Sequence, residues 1–218
     1  MIGPGDRIMI GLSGGKDSLI LSLALAALRR RSPVKFGLAA CLIDQTGGSM
    51  ETAMLEDFMK EIEIPLSISS HPTYSIMKER DERSPCSLCA NLRRGILAGQ
   101  AREAGANILA LGHHKDDAVE TVLLNLFYGG RFKCYQPNMF MSRTEIRVIR
   151  PLIYIEERRI AIEAERLKLP VTGACCPYSG KSKRLSAKKI LEDMEKEIPE
   201  IKSNVIHALK NVLESDVW

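Results

Sequence analysis

Two stretches of this sequence carry residue types suited to phosphate, and a third carries paired thiols. Ser13-Gly14-Gly15-Lys16-Asp17-Ser18 follows the apolar run Arg7 to Leu12 and opens the apolar, helix-length segment Asp17 to Arg30. Gly14 and Gly15 allow a tight turn that brings amides near an anion, and the helix start adds a favourable dipole. Ser13 and Ser18 offer hydroxyl donors, and Lys16 offers countercharge. A Walker A loop needs four residues between its first glycine and the Gly-Lys pair, then Ser or Thr. Gly11 to Gly15 leaves three, and Asp17 follows Lys16, so this is a phosphate loop of another kind.

The second stretch is Gly112-His113-His114-Lys115-Asp116-Asp117. Asp117 and Thr121 fall on one helix face, which places the Asp117 carboxylate to hold Mg²⁺ against phosphates. Asp116 has the alternative role of helix cap. His113 and His114 suit metal ligation or polarisation, or structural hydrogen bonds. Asp44, closing an apolar run, could contact ribose or adenine, or simply shape a turn. The third stretch, Cys86-Ser87-Leu88-Cys89, puts two sulfurs on the first turn of a helix, which suits zinc, an iron–sulfur cluster or a redox dithiol. Cys175 and Cys176 add thiols from a later loop. Cys41 reads as core, and Cys134 lies in an irregular stretch.

Short strand patterns alternating with helical ones must position these residues. Strands are expected at Arg7 to Leu12, Val34 to Ile43, Leu66 to Ser69, Ile108 to Leu111 and Ile146 to Ile149. Helices are expected at Asp17 to Arg30, Met50 to Ile62, Leu88 to Glu103, Asp116 to Phe127 and Glu156 to Leu167. Ser186 to Glu197 and Ile201 to Leu213 close the chain. Gly129 to Ser142 and Gly173 to Lys183 read as irregular. This rhythm predicts an α/β fold, an open and mostly parallel sheet wrapped by helices, with ligands beyond the carboxyl ends of the strands. Residues 1–170 would form the main domain, including the Cys86–Cys89 segment, and 171–218 a cysteine loop and helices packed on it.

Composition limits the alternatives. With 218 residues, 45% hydrophobic and 27% charged, the chain is globular in character and long enough for one large domain. Net charge is only +4, so binding to nucleic acid would need local patches. Six cysteines are too few for a secreted disulfide scaffold. Leu19 to Leu28 is interrupted by Ser22 and ends in Arg29, Arg30 and Arg31, well short of the roughly 18 apolar residues of a membrane span. Asp6 and Arg7 stand where a signal peptide would be apolar. The expectation is a soluble cytoplasmic protein with reduced thiols.

The Ser-Gly-Gly-x-Asp-Ser loop resembles the pyrophosphate loop of the PP-loop ATP pyrophosphatase superfamily, which implies cleavage of ATP between its α and β phosphates. Further strings narrow the resemblance. Thr73 to Ile76 (TYSI), Cys86 to Leu97 (CSLCANLRRGIL), Leu111 to Gly130 (LGHHKDDAVETVLLNLFYGG) and Val148 to Leu152 (VIRPL) resemble, in order, the tRNA 2-thiocytidine synthetase family. That resemblance covers nearly the whole chain. It implies ATP- and Mg²⁺-dependent thiolation of cytidine 32 in the tRNA anticodon loop, with a [4Fe–4S] cluster held by three cysteines. Cys86 and Cys89 then supply two ligands. Where the family usually shows Cys-x-x-Cys-Gly, this chain has Cys176-Pro177-Tyr178-Ser179-Gly180. Cys176 is therefore the expected third ligand, with Cys175 its competitor, and Ser179 replaces the second downstream thiol. The chain begins almost at its first strand, where the family usually has a helical extension.

On this resemblance, Lys16, Asp17 and Asp117 are the candidate catalytic residues. Ser13, Gly14, Gly15, Lys16, Asp17, Ser18, Asp44, Gly112 and His113 would line the nucleotide site, and Asp117 would hold Mg²⁺. The partners implied are tRNA, a sulfur donor such as a cysteine desulfurase persulfide, no membrane, and a second copy of the chain. Lys181, Lys183, Arg184, Lys188 and Lys189 form an acid-free basic stretch, and Arg131, Lys133, Arg143, Arg147 and Arg150 flank the irregular loop. Both are expected to face RNA, with the acidic stretch Glu192 to Glu200 turned away.

Overall fold

The computed structural model describes residues 1–79, 85–172 and 183–212. Six strands form one sheet, in the order β3 (Leu66–Ser70), β2 (Gly37–Asp44), β1 (Arg7–Leu12), β4 (Ile108–Ala110), β6 (Ile146–Ile149) and β5 (Asn138–Met141). All neighbours pair in parallel except β5, which runs antiparallel to β6 at the edge. The expected open, mostly parallel sheet is present.

The period-two side-chain alternation of a strand explains how both faces are filled. Ile8, Ile10 and Leu12 of β1 and Ala40 and Leu42 of β2 join one core. That core includes Leu19, Leu21 and Leu25 of α1 (Lys16–Arg31), Leu55, Phe58 and Met59 of α2 (Ala53–Glu61) and Ile160 of α6 (Glu157–Arg166). Met9, Cys41, Ile43, Leu109 and Val148 point the other way, against Leu97 and Ala101 of α4 (Pro85–Glu103). Cys41 is thus core. Each buried Ile or Leu is worth about 1.5–3 kcal/mol. A one-residue slip would turn every one of these side chains to the wrong core, so register is strongly specified.

A third core gathers Ala118, Val119 and Leu123 of α5 (Lys115–Gly129) with Ala187 and Leu191 of α7 (Lys183–Glu197) and Ile206 of α8 (Ile201–Ala208). These last two helices therefore pack on α5 and stand near the carboxyl ends of the strands. Two elements depart from the sequence expectation. Residues Thr73–Glu79 form a short helix, α3, and the stretch expected to be irregular contains β5. Asn138–Met141 pairs only along one edge, against β6; Met139 and Met141 pack on the core while the large apolar Phe140 is exposed, so the residue types do not alternate although their burial does. Among the described residues no helix is long and apolar enough to cross a membrane.

From β1 the chain winds to β2 and β3 on one side, then returns to place β4 on the other. The strand order reverses between β1 and β4, and the crevice beyond their carboxyl ends is where such sheets bind ligands.

Candidate active site

The two phosphate-type loops meet at that crevice. After β1, Gly14 turns with φ +74°, and Gly15 caps α1 in extended conformation without any side-chain cap. The first-turn amides of a helix have no partner within it, so an uncapped glycine leaves them available to an anion. Ser18 folds back over the turn: its hydroxyl accepts from the Ser13 amide at 3.1 Å and donates to Gly15 O at 2.9 Å. The Ser13 and Ser18 hydroxyls are 3.2 Å apart. Thr172 closes the loop from behind, its amide donating to Gly14 O at 3.0 Å. A side chain at Gly14 would collide with Thr172 Oγ1, so only glycine fits. Gly112 serves the second loop similarly, since a Cβ there would stand 3.1 Å from the backbone of Asp17 and Ser18.

After β4, His114 caps α5. Its Nδ1 accepts from the Asp117 amide at 3.3 Å, while its own amide donates to Asp117 Oδ2 at 3.2 Å. Asp116, the alternative cap from sequence, instead accepts from the Glu157 amide at 2.7 Å and pairs with Lys202 at 2.8 Å. With Nδ1 accepting, the ring hydrogen of His114 is assigned to Nε2. That atom lies 3.4 Å from Asp117 Oδ2 and 3.8 Å from Asp17 Oδ1. The two carboxylates from the two loops therefore flank one imidazole.

Charged side chains from α6 and α7 complete this cluster, a convergence with no signal in the sequence. Lys16 Nζ and Lys188 Nζ bind opposite oxygens of Glu157, at 2.9 and 2.8 Å. Burial raises the Glu157 pKa, but hydrogen bonds and charge from Lys188 and Lys16 outweigh it and bring the value to about 2. Arg184 reaches Asp117 Oδ1 at 3.0 Å and Glu120 Oε2 at 3.1 Å. Glu120 is buried, and burial pushes its carboxyl up despite Arg184.

A third group sits beside the second loop. Arg150 Nε donates to His113 Nδ1 at 3.2 Å, and the Arg150 guanidinium lies 4.5 Å from the Tyr135 ring centre. The His113 and Tyr135 rings are 4.8 Å apart. Burial, followed by the positive charges of Arg150, Arg93 and Arg184, outweighs the opposing charge of Asp117 and lowers His113 to about 4. The Tyr135 hydroxyl is buried without a hydrogen-bond partner among the described residues. Cys134, next to it, donates to Ala118 O at 3.4 Å, and burial pushes its thiol up.

Asp44 is buried at the end of β2 with both oxygens engaged. Oδ1 accepts from the Thr46 amide at 2.8 Å and its hydroxyl at 2.5 Å, and Oδ2 accepts from the Gly48 amide at 2.7 Å. Burial raises its pKa, but these hydrogen bonds bring the net value down. The carboxylate thus builds the β2–α2 turn. Its neighbour Gln45 donates through Nε2 to Cys89 Sγ at 2.9 Å, which sets the CxxC pair at the same sheet edge. Cys86 is exposed and Cys89 partly buried. Cys175, Cys176 and Lys181 lie outside the described residues.

The donor sets can be tested for the groups they would hold. Among the described residues no three His, Cys, Asp or Glu side chains gather as a ready-made metal site. Asp17 Oδ1 is nevertheless buried without a hydrogen bond, although Lys16 Nζ approaches to 3.2 Å. An orphaned carboxylate oxygen opposite Asp117 fits Mg²⁺ held by one or two carboxylates plus phosphate oxygens. Cys86 and Cys89, one helical turn apart, fit two thiolate ligands of a cluster that a further cysteine would complete.

Residues 3–170 match the family profile described as the PP-loop domain. The tRNA-cytidine(32) 2-sulfurtransferase of Pelobacter propionicus is 43% identical over 216 residues, covering 97% of this chain and 80% of that protein. The tRNA-cytidine(32) 2-sulfurtransferase of Geobacter metallireducens is also 43% identical, covering 97% and 84%. The chain belongs to this PP-loop family. Among solved structures, the U34-tRNA thiolase NcsA from Methanococcus maripaludis, with its [4Fe-4S] cluster, superimposes with a TM-score of 0.79 at 26% identity, covering 97% of this chain and 74% of that one. Membership of the PP-loop tRNA-cytidine(32) 2-sulfurtransferases implies ATP binding.

Proposed function

We propose that this chain is an ATP-dependent tRNA sulfurtransferase that converts cytidine 32 of the anticodon loop to 2-thiocytidine. The observation that carries the reading is the meeting of three elements at one sheet edge: the phosphate loop at Ser13–Ser18, the Asp17/Asp117 pair flanking His114, and Cys89 beside Gln45.

The C2 oxygen of an amide-like ring carbonyl is a poor leaving group. It attacks the α-phosphorus of ATP, the bond to the bridging oxygen breaks, and pyrophosphate leaves. Sulfide then adds at C2, the C2–O bond breaks, and AMP departs with the original oxygen while the sulfur gives up its proton. The α1 amides, Ser13, Ser18 and Lys16 bind the departing phosphates. Asp17 and Asp117 are placed to hold Mg²⁺, which when bound neutralises charge on those oxygens. Cys86 and Cys89, with Cys176 as third ligand and Cys175 as competitor, would hold a [4Fe–4S] cluster, which when bound supplies an iron site for sulfide. Asp44 acts by shaping the adenosine side of the crevice, and Gly112 by letting the two loops pack. A cysteine desulfurase persulfide is a suitable sulfur source. Its sulfane sulfur needs two electrons from a thiol or a redox protein to arrive as sulfide.

The target base must leave its stack to reach C2, which costs least in a single-stranded loop. His113, held by Arg150 against Tyr135, offers an aromatic and donor surface beside the second loop.

The test is anaerobic incubation of the reconstituted protein with ATP, Mg²⁺, sulfide and unmodified tRNA, followed by nucleoside analysis and pyrophosphate assay. The expected result is 2-thiocytidine with stoichiometric AMP and pyrophosphate, dependent on tRNA and lost in Asp117→Asn. Pyrophosphate release indifferent to tRNA, or tRNA carrying no new 2-thiocytidine, would overturn the reading.

A further inference from the structure

The basic stretch after residue 180 reads from sequence as an RNA-facing surface, yet two of its members turn toward the crevice. Arg184 and Lys188 are four apart on α7 and therefore share one helix face. Their backbone is fixed, because Ala187 and Leu191 between and beyond them are buried in the core shared with α5. Arg184 points at the second loop, binding Asp117 Oδ1 at 3.0 Å and Glu120 Oε2 at 3.1 Å. Lys188 points at the first, through the Glu157 carboxylate it shares with Lys16. Lys183, outside this pair, instead lies 4.6 Å over the Tyr128 ring.

Among the described residues, the ion pairs of this cluster join three cations, Lys16, Arg184 and Lys188, to four acids, Asp17, Asp117, Glu120 and Glu157. A triphosphate entering this field meets a surplus of carboxylate unless the cations exchange partners. Both α7 cations are able to do so, since the side chains of Arg184 and Lys188 are 46% and 40% exposed and joined to a fixed helix by long stems. A guanidinium engages two phosphate oxygens as readily as two carboxylates, and an ammonium serves as a point charge for either.

We propose that Arg184 and Lys188 bind the β- and γ-phosphates of ATP and the pyrophosphate it releases, exchanging Asp117, Glu120 and Glu157 for phosphate oxygens. Release of Asp117 by Arg184 also frees that carboxylate for a divalent cation. The inference rests on the reading of Ser13–Ser18 as an ATP phosphate loop, and it makes α7 part of the nucleotide site, with Arg184 and Lys188 serving phosphate in place of RNA.

The experiment is calorimetric titration of the full chain with pyrophosphate, beside tRNA binding measured across a salt series. Lys188→Met and Arg184→Gln are each expected to weaken pyrophosphate binding about ten- to hundredfold, the loss of one charge-assisted hydrogen bond. Lys188→Arg should restore most of it, and tRNA affinity and its salt slope should stay at wild-type values. Pyrophosphate affinity within about twofold of wild type in both variants would overturn the proposal. So would a loss confined to tRNA affinity with a shallower salt slope, which marks a phosphate-backbone contact. If Lys188→Met does not fold, Lys188→Arg and Arg184→Lys carry the test, expected to bind pyrophosphate within a few-fold of wild type but with altered enthalpy. An unchanged enthalpy in both would count against the proposal. A wild-type chain that binds neither pyrophosphate nor ATP would defeat the underlying reading of the loop and the proposal with it.

Discussion

Gln45 donates its side-chain amide to Cys89 Sγ across 2.9 Å, and this bond ties the end of β2 to the first turn of α4. Tyr74 orients the donor, its hydroxyl lying 3.3 Å from Gln45 Oε1. Since Asp44, the preceding residue, anchors the β2–α2 turn, the Cys89 sulfur is held by a loop at the carboxyl ends of the strands. Groups that hydrogen-bond a ligand atom orient it and tune the metal it holds.

With Cys86 and Cys89 as ligands of the proposed cluster, Gln45→Leu should weaken its retention while leaving the fold intact. Loss of an outer-shell partner typically costs about ten- to hundredfold in metal affinity. Iron release to a chelator, followed by the decay of the cluster's visible absorbance in wild-type and variant protein, measures it. Equal release rates would show that Gln45 has no hold on the cluster.

The Ser13–Ser18 turn makes a sharper prediction, because its geometry allows the contributions to be separated. Gly14→Ala places a Cβ at φ +74° and against Thr172 Oγ1. The left-handed backbone alone costs about 1–2 kcal/mol, and the collision adds to it. Thr172→Ala removes the colliding atom but not the backbone strain. The double variant should accordingly be more stable than the two single losses sum to, by roughly 0.5–3 kcal/mol of coupling. Urea denaturation of all four proteins closes the cycle, and simple additivity would refute the contact.

What the sequence revealed and what it hid divide along the same line. Ser13–Ser18 and Gly112–Asp117 were legible because each is a contiguous string at a strand-to-helix junction, and the short apolar runs of β1 and β4 showed where those junctions lie. Glu157, Tyr135 and Gln45 were not legible. Each is an ordinary residue whose meaning comes from a partner distant in the chain, Lys16 and Lys188, Arg150, and Cys89 respectively. Arg184 and Lys188 were visible as charge but not as direction, since spacing shows which helix face they share and not what that face meets. β5 stayed hidden because its exposed face carries the apolar Phe140, so the apolar run Met139 to Met141 shows no period of two.

Glu157 gives a prediction confined to acid. Its pKa lies at about 2, below the ordinary value of 4.5, because Lys188 and Lys16 prefer it ionised in the folded chain. The stabilisation is fully present above pH 4.5 and is lost as pH falls from there toward 2. In Glu157→Gln nothing titrates at this position, so the stability difference between wild type and variant should shrink through that window. Denaturant midpoints at closely spaced pH values test this, and a difference that stays constant would show that the two ion pairs do not stabilise the fold.

His113 titrates in a different window, which allows the two effects to be told apart. The ring is held neutral by burial and by the charges of Arg150, Arg93 and Arg184, with a pKa of about 4 against an ordinary 6.5. Between those values the unfolded chain takes up a proton that the folded chain refuses, so stability rises with pH across the window and is lost as pH falls from 6.5 toward 4. Asparagine at this position retains an acceptor for Arg150 Nε but no titrating group. His113→Asn should therefore flatten the stability profile between pH 6.5 and 4 while leaving the Glu157 window below 4.5 unchanged. Ring-proton chemical shifts supply an independent reading in the wild-type chain, with the His113 resonance expected to hold its neutral position at pH 5.5, where an ordinary histidine is mostly charged. A His113 resonance that titrates near 6.5 would mean that its hydrogen bond with Arg150 does not persist in solution.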